Sequence, residues 1–361
     1  MRSPLRHRLD HMYGVIERSY RVYKARKRAK RLSKPVKLTP ELKRMYKEQV
    51  IPYWKPYGIK PPLSSVKMFY RIHGVIDPTF IPDTIWYGKV LPYFSNASFR
   101  RAIEDKNYHD VWFPHIKRPE TIVKNIAGIY YDANSNIIDK TTAINLCLKQ
   151  KEGIIKPSID TGEGRLIKRY DTYTEDSEIA SIFEQLNSNF IVQKIVKQHA
   201  KINALHPYSV NTIRMTSFLF DNEVHILSGI FRIGQNKNFV DNFAQKGIAS
   251  PIEPNGTLKG KAIGIELNWM RETPDKQSLK DFKIPGYQNI IDVIKQEHLK
   301  LAHFKIIGWD FSVDDTETPI LIEFNTSPNQ TQIITGPMFQ HLTQAVLEEV
   351  FIKKTYQKSQ N

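Results

Sequence analysis

The sequence has little cysteine and no long apolar run. Its one cysteine, Cys147, excludes an intramolecular disulfide and fits a reducing compartment. No stretch of the 361 residues is apolar for long enough to cross a bilayer, and none has the apolar core of a signal peptide. We therefore expect a cytoplasmic protein, with a large core in two or three subdomains given its 40% hydrophobic content.

Acidic residues are scarce at the amino terminus. Residues 1–37 contain thirteen Lys or Arg against Asp10 and Glu17, so this segment carries +11 of the net charge of +16. Apolar residues recur in it at spacings of three and four, which predicts an amphipathic helix that fades near Ser33. The apolar stripe consists of Leu5, Leu9, Met12, Ile16, Tyr20 and Tyr23.

This basic helix has three interpretations. Its stripe packs on the body of the protein, which we favour, or it lies on an anionic membrane surface at the inner face of the membrane. Basic arms also bind nucleic acid, but no base-reading motif supports that third interpretation.

Two strand-like runs near the carboxyl terminus flank a short polar turn. Residues 304–313 and 319–325 are rich in β-branched and aromatic side chains, and residues 314–318 indicate a hairpin turn. If the turn is centred between Thr316 and Glu317, the antiparallel register fixes which residues of the two strands face each other.

In that register Asp310 lies opposite Glu323, and Asn325 shares the face of Glu323. Two carboxylates and an amide oxygen are the hard ligands that Mg²⁺ prefers. The alternative is an ordinary hairpin whose polar face meets water.

A glycine-containing loop follows Lys156 between two further strand-like runs. Backbone N–H groups of such a loop close readily on phosphate oxygens, and the lysine supplies a positive charge. The segment is no Walker motif, because Gly-Lys-Ser/Thr is absent and a strand rather than a helix follows. Taken alone, Gly162 and Gly164 indicate a β-turn.

The order of these features along the chain is informative. A lysine with its loop comes first, then an apolar strand at residues 190–196, then Arg214 on a strand, then the paired carboxylates. This order resembles the ATP-grasp superfamily, and most closely its sugar-transfer-associated branch, over roughly residues 90–350.

The resemblance implies a set of binding residues for ATP and Mg²⁺. Phosphate contacts are implied for Lys106, Lys156, Ser158, Gly162, Gly164 and Arg214. Adenine contacts are implied for the hinge residues Gln193, Lys194, Ile195 and Val196. The phosphate or acceptor end is implied for Arg232, Asp241 and Asn242. Metal ligation is implied for Asp310, Glu323 and Asn325.

The resemblance also implies the fold and its divisions. We expect an α+β ATP-grasp fold that holds the nucleotide between two mixed or antiparallel sheets. The expected parts are a basic helical arm (1–37), an amino-terminal domain (38–125), a central lid subdomain (126–196) and a carboxyl-terminal subdomain with the metal site (197–361).

Local patterns predict several elements of these parts. The strands are expected at 126–131, 212–220 and 223–234, and the helices at 141–151, 175–186, 287–302 and 337–353.

The implied activity is an ATP- and Mg²⁺-dependent carboxylate–amine ligase that acts through an acyl phosphate. Lys156 and Arg214 would stabilise the transferred phosphoryl group, and the acceptor would be a sugar or a cell-surface polysaccharide precursor. One alternative is a kinase that phosphorylates a hydroxyl of a sugar or small molecule. Another is a low-turnover nucleotide-binding module tethered by the arm, which is favoured by Lys194 standing where the family usually has an acidic residue.

Overall fold

The computed structural model describes residues 4–96, 99–159, 166–241 and 245–353. Its helices are α1 (Pro4–Ser33), α2 (Pro40–Met45), α3 (Ile51–Trp54), α4 (Leu63–His73), α5 (Asp83–Ile85), α6 (Leu91–Phe94), α7 (Arg100–Ile103), α8 (His109–Trp112), α9 (Lys140–Gln150), α10 (Asp176–Leu186), α11 (Ala200–Asn203), α12 (Tyr287–His298), α13 (Gln332–Thr335) and α14 (Thr343–Glu348). Each helix in the described chain is too short or too polar to span a lipid bilayer.

The strands are β1 (Thr121–Ile126), β2 (Ile129–Asp132), β3 (Ile137–Ile138), β4 (Gly153–Pro157), β5 (Lys168–Tyr170), β6 (Phe190–Gln193), β7 (Thr212–Phe220), β8 (Glu223–Ile233), β9 (Ile248–Pro251), β10 (Ala262–Ile263), β11 (Trp269–Met270), β12 (Ile306–Val313) and β13 (Pro319–Asn325). They form two sheets with antiparallel neighbours, ordered β3-β2-β1-β6-β4-β5 and β11-β10-β9-β8-β7-β12-β13.

The six-stranded sheet is covered by α9 and α10. Alternate residues of its strands point toward these helices, so that Val123, Ile155 and Val192 join Cys147 and Phe183 in one apolar cluster. Burial raises the pKa of the Cys147 thiol to about 12, as expected for a cysteine that serves as a small apolar residue.

The seven-stranded sheet carries the larger core. Its central strands β7 and β12 are almost wholly buried, and Ile213, Trp309 and Phe311 pack against Ile290 and Ile294 of α12. Because both neighbours of these strands are paired, residues on their other face are held in fixed register. That face supplies the functional site.

Most predicted elements are confirmed, with one clear error. The strand expected at 126–131 is instead a turn between β1 and β2, in which Ala127 and Gly128 have φ angles of 52° and 92°. A two-residue turn of this kind is usually marked by Asn or Asp before glycine, and Ala127 at that position gives no such signal. The helix expected at 337–353 begins only at residue 340, because Met338 and Phe339 are buried in the core.

Helix α1 is confirmed and ends at Ser33, but its packing face was predicted wrongly. Ala25 and Ala29 are buried, and Arg28 pairs with the buried Asp83 at 3.5 Å. The guanidinium of Arg21 lies 4.4 Å from the ring centre of Tyr87. Small side chains allow the close approach, so the helix packs through alanines and selected arginines rather than through its bulky stripe.

The predicted stripe faces solvent where the structure describes it. Ile16, Tyr20 and Tyr23 are exposed. The remaining members, Leu5, Leu9 and Met12, lie outside the residues whose side chains are described.

Candidate active site between the two sheets

A cavity of about 500 Å³ lies between the two sheets. One wall comes from β4, β5 and β6, and the other from β8, β12 and β13. This volume is in the usual range for the pocket of a small-molecule ligand or cofactor. The predicted residues Lys106, Lys156, Gln193, Lys194, Ile195, Val196, Arg232, Asp241, Asp310 and Glu323 line it.

A row of charged side chains crosses the seven-stranded sheet. The pairing places Thr212 of β7 opposite Arg232 of β8, and Arg214 of β7 opposite Asp310 of β12. Asp310 is in turn opposite Glu323 of β13, which confirms the register predicted from the sequence. Residues directly opposite each other share one face of a sheet, so four neighbouring strands bring these groups together.

Asp310 is the centre of this row and is fully buried. Both of its oxygens accept hydrogen bonds from Arg214, one from Nε and one from Nη2, and Nη2 of Arg232 lies 2.9 Å from Oδ1. A carboxylate offers about four lone-pair sites. These contacts use three of them, which leaves one on Oδ2.

Gly308 provides the space for Arg214. A Cβ atom on Gly308 would lie 2.9 Å from Cβ of Pro328 and 3.3 Å from Nη1 of Arg214. Any larger residue there would push the guanidinium away from Asp310, so the absence of a side chain at this position helps to fix the arginine.

Asp241 supports Arg232 from the other side. Its Oδ2 accepts a hydrogen bond from the backbone N–H of Thr212 at 2.9 Å and one from the Thr212 hydroxyl. Nε of Arg232 donates to Oγ1 of Thr212 at 2.8 Å and lies 3.6 Å from Oδ2 of Asp241. Burial raises the pKa of Asp241, against the opposing effect of Arg232. Asn242, predicted beside it, lies outside the described residues.

Glu323 reaches the cavity through a β-bulge. The pairing of β12 with β13 shifts by one residue between Asp310 and Phe311, so Phe311 is opposite Leu321 while Asp310 is opposite Glu323. The extra residue is Ile322, which lines the cavity together with Glu323. Such a bulge re-aims side chains. The predicted pair is therefore correct, although the prediction contained no bulge.

Two lysines face Glu323 across the cavity. Nζ of Lys106 lies 3.4 Å from Oε2 of Glu323, and the backbone N–H of Lys106 donates to the carbonyl of Ser158 at 3.0 Å. Lys106, Arg214, Lys156 and Arg232 lower the pKa of Glu323 to about 2, although burial works in the opposite direction. Glu323 is therefore ionised at neutral pH.

The pKa of Lys156 is strongly lowered. Burial first, and then repulsion by Lys106, lower its pKa to about 8, while Glu323 acts in the opposite direction. An anionic ligand next to this lysine would stabilise its protonated form and raise its pKa again.

The hinge residues lie at the carboxyl end of β6, an interior strand of the six-stranded sheet. Nε2 of Gln193 donates to the carbonyl of Pro119 at 3.3 Å, and the backbone N–H of Lys194 donates to the carbonyl of Glu120 at 2.8 Å. Nζ of Lys194 is 2.6 Å from Oε2 of Glu120. The chain thus supplies a carboxylate beside the hinge from a neighbouring segment.

The remaining predicted residues lie elsewhere. Ser158 follows the last residue of β4 and is buried, its N–H donates to the carbonyl of Asn189 at 2.8 Å, and it does not line the cavity. Arg214 and Asn325 do not line the cavity either. Gly162 and Gly164 lie outside the described residues.

Sequence reasoning missed other lining residues. Ile154 shares the strand face of Lys156 by the alternation rule, and Arg169 is its partner on β5, so strand pairing contained a signal for both. Arg169 pairs with Glu152 at 3.3 Å. Tyr208 and Phe239 come from segments outside the strands, where no periodic pattern marks them.

The donor set fits a magnesium ion. Glu323 is an ionised carboxylate, Asp310 keeps one free lone-pair site, and the buried Nδ2 of Asn325 has no hydrogen-bond partner that would fix its amide. Within the described part of the chain no three His, Cys, Asp or Glu side chains converge on a metal position. A metal here would therefore depend on two carboxylates, the amide and ligand oxygens.

Comparison with known proteins identifies the family of this chain. The model of the family described as "Sugar-transfer associated ATP-grasp" matches residues 162–348, slightly more than half of the chain. The chain belongs to the sugar-transfer associated ATP-grasp family. The prediction of an α+β ATP-grasp enzyme is thereby confirmed. Lys106 and Lys156 precede the matched region, so their assignment depends on the structure.

Solved structures with a similar fold include three named enzymes. An L-amino acid ligase from Bacillus licheniformis is 12% identical with a TM-score of 0.40, over 69% of this chain and 48% of that one. A D-cycloserine synthetase is 13% identical with a TM-score of 0.42, over 79% and 78%. A D-alanine–D-alanine ligase from Bacillus anthracis complexed with ATP is 14% identical with a TM-score of 0.38, over 76% and 70%.

This chain thus spans about half the length of the L-amino acid ligase. No curated protein sequence matches it.

Proposed function

We propose that this protein is an ATP- and Mg²⁺-dependent ligase that joins a carboxylate to an amine through an acyl phosphate. The description of its family supports a sugar or a cell-surface polysaccharide precursor as the substrate. The roles of Lys156 and Arg214 as catalytic groups, and of Asp310, Glu323 and Asn325 as metal ligands, belong to the same proposal.

The observation that carries the proposal is the distribution of charge in the cavity. Lys106 and Lys156 stand on one side, Arg232 on the other, and the ionised Glu323 faces both lysines. A triphosphate needs cations around its oxygens and a divalent ion held by carboxylates. When bound, Mg²⁺ would neutralise charge on the phosphates.

The reaction would proceed in two balanced steps. An oxygen of the substrate carboxylate attacks the γ-phosphorus of ATP, the bond to the β-phosphate oxygen breaks, and ADP leaves. The amine then attacks the carbonyl carbon of the acyl phosphate, inorganic phosphate leaves with the bonding electrons, and the amine loses a proton. Lys156 and Arg232 would bind the phosphate oxygens as charge builds on them.

The lining also favours a carboxylate over a hydroxyl as the phosphate acceptor. A hydroxyl needs a general base, whereas a carboxylate is already ionised. Among the described lining residues the acidic groups each have a cationic partner, and no histidine is present. These partners are Lys106 for Glu323, Arg169 for Glu152, Arg232 for Asp241, and Arg214 with Arg232 for Asp310.

Trapping with hydroxylamine tests the proposal. We expect ATP, Mg²⁺ and a panel of sugar acids to give a hydroxamate and ADP, because hydroxylamine captures an acyl phosphate without a specific amine. Glu323→Gln should lower the rate by about 10²–10³, as expected for loss of one stabilising contact in the transition state. Glu184→Gln, which removes an exposed carboxylate of α10, is the matched control and should keep full activity.

Other outcomes identify the alternatives. A phosphorylated hydroxyl product without hydroxamate would contradict the ligase and establish a kinase. A Mg·ATP-dependent rise in the thermal midpoint with no turnover of any acceptor would indicate a binding module. Ligand at 100 times its Kd stabilises the fold by about 2.7 kcal/mol, which is readily measured.

A further inference from the structure

The outward face of α1 is defined here by Ile16, Tyr20, Tyr23, Lys24, Lys27, Lys30 and Arg31. Successive members are mostly three or four residues apart, so they follow one side of the helix over roughly 22 Å. Ile16, Tyr20 and Tyr23 are 60%, 55% and 61% exposed, and the four cations are exposed as well.

The face has an apolar half and a cationic half. Three large apolar side chains occupy its amino-terminal part, and four cations occupy its carboxyl-terminal part. Nζ of Lys24 lies 4.7 Å from the ring centre of Tyr20, where the two halves meet.

Negative charge is missing from this face. Residues 14–37 contain ten Lys or Arg and one acidic residue, Glu17. Glu17 points toward the body, where it pairs with Arg100 at 3.1 Å. The outward face therefore carries charge of one sign only, with the apolar side chains in its amino-terminal half.

The body of the protein holds this face outward. On the opposite side of the helix Ala25 and Ala29 are buried, Arg28 pairs with Asp83, and Nη2 of Arg21 donates to the carbonyl of Ser327 at 3.2 Å. The helix cannot turn its apolar half inward without breaking these contacts. Because α1 packs on the body through its small residues, its bulky apolar residues stay exposed and are available to bind another partner.

We propose that the outward face of α1 binds an anionic membrane surface. Cations at the surface attract acidic headgroups, and Ile16 with the two tyrosines is suited to the boundary between headgroups and acyl chains. The exposed aliphatic Ile16 favours a lipid surface over nucleic acid, because rings beside cations can stack on bases whereas an aliphatic side chain is suited to acyl chains. This inference is independent of the proposed reaction.

Helix α1 is joined to the end of β13. Arg21, on the inward side of the helix, binds Ser327, and Ser327 follows Asn325 by two residues. A membrane-bound α1 would thus fix the orientation of the seven-stranded sheet relative to the lipid surface.

Vesicle cosedimentation of the full chain tests this surface. We expect binding to vesicles of phosphatidylcholine with phosphatidylglycerol, loss of binding on vesicles of phosphatidylcholine alone, and weakening as salt rises. Changing Lys24, Lys27, Lys30 and Arg31 together to Gln should weaken partitioning at least about a hundredfold, since each cation near the surface contributes roughly fivefold.

The matched control removes the same charge elsewhere. Lys149, Lys259, Lys276 and Lys280 are exposed outside α1, and their change to Gln should leave binding nearly unaltered. A third variant, Ile16→Ser with Tyr20→Ser and Tyr23→Ser, keeps every charge and should still weaken binding by tenfold or more. Unchanged thermal midpoints would show that each variant is folded.

Three results would overturn the proposal. The first is no binding to phosphatidylglycerol vesicles at low salt, including the case in which the chain binds single-stranded DNA instead. The second is equal loss in the outward-face variant and the charge-matched control. The third is unchanged binding of the triple serine variant, because the apolar half would then have no part in docking.

Discussion

The two walls of the cavity are built on different plans. In the seven-stranded sheet, Arg214 and Arg232 stand within central strands and contact Asp310, and Arg232 also pairs with Asp241, so two cations meet two carboxylates. In the six-stranded sheet, Lys156 stands near the end of β4, where burial and then repulsion by Lys106 lower its pKa, and the nearby Glu323 pairs with Lys106 instead. One wall therefore holds its central charges in ion pairs, whereas Lys156 of the other wall forms no ion pair with the described residues.

We expect the two walls to contribute differently to ligand binding and to stability. A wall whose charges are already paired keeps its geometry whether or not a ligand is present, which is the condition for a preorganised site. A wall with an uncompensated lysine gains most when a polyanion arrives. The paired wall should thus matter mainly for stability and alignment, and the unpaired wall mainly for affinity.

Breaking the paired wall should have the largest effect. Asp310→Ala would remove the buried carboxylate that both guanidinium groups contact, although Arg232 keeps Asp241, and breaking a buried pair typically costs about 3–5 kcal/mol of stability. We expect a fall in the thermal midpoint and in the free energy of unfolding measured with denaturant. Asp292→Ala, at an exposed position on α12, should change stability by less than about 0.5 kcal/mol. Equal stability of the parent and Asp310→Ala would contradict the paired-wall interpretation.

Neutralising the unpaired wall should have an intermediate effect. Lys156→Gln removes one charge-assisted phosphate contact, so the affinity for Mg·ATP should fall about tenfold to a hundredfold. Calorimetry can measure this change, with Lys168→Gln on the neighbouring β5 as the control.

The pH dependence sharpens the same test. Because the pKa of Lys156 is about 8 in the folded protein and 10.5 ordinarily, the folded chain binds fewer protons between these values, and the lysine's contribution to stability rises with pH across that range. Phosphate binding should restore the proton, so binding near pH 8–9 should take up protons from the buffer in the parent but not in Lys156→Gln. Proton uptake that persists in the variant would assign the effect to another group.

A substitution in the hinge should have the smallest effect on the affinity for Mg·ATP. The ammonium group of Lys194 pairs with Glu120 on side chains that are 41% and 72% exposed, and exposed pairs contribute about 0–1 kcal/mol. Lys194→Ala should therefore change the Mg·ATP affinity by less than about fivefold. A hundredfold loss would mean that the lysine itself binds the nucleotide, and the comparison of the two walls would have to include it.

Sequence reasoning reached the pair Asp310 and Glu323 from local pattern alone, without the resemblance. Strand alternation and a short turn were enough to place Asp310 opposite Glu323, since register follows from local pattern. The bulge at Ile322 had no signal in that pattern. Arg214 and Arg232 were found only through the resemblance, and their contacts with one carboxylate depend on the order of strands in the sheet.

The wrong prediction of the packing face of α1 also arose because tertiary contacts are not visible in a local pattern. Periodicity identifies which residues share a side of a helix, but it does not tell which side the body covers. Here small residues and arginines with specific partners made the closer contact. Tyr208 and Phe239 were missed because tertiary structure alone brings their segments to the cavity.

The contact between Arg21 and Ser327 joins residues 306 positions apart. During synthesis on the ribosome, α1 is made long before β13, so its contact with Ser327 forms late, whereas its partners Asp83, Tyr87 and Arg100 are made early. A nascent chain would therefore carry a basic helix whose inward face is partly packed and whose outward face is available for most of its translation. Whatever holds the outward face of α1 in the mature protein could thus meet the helix before the enzyme is complete.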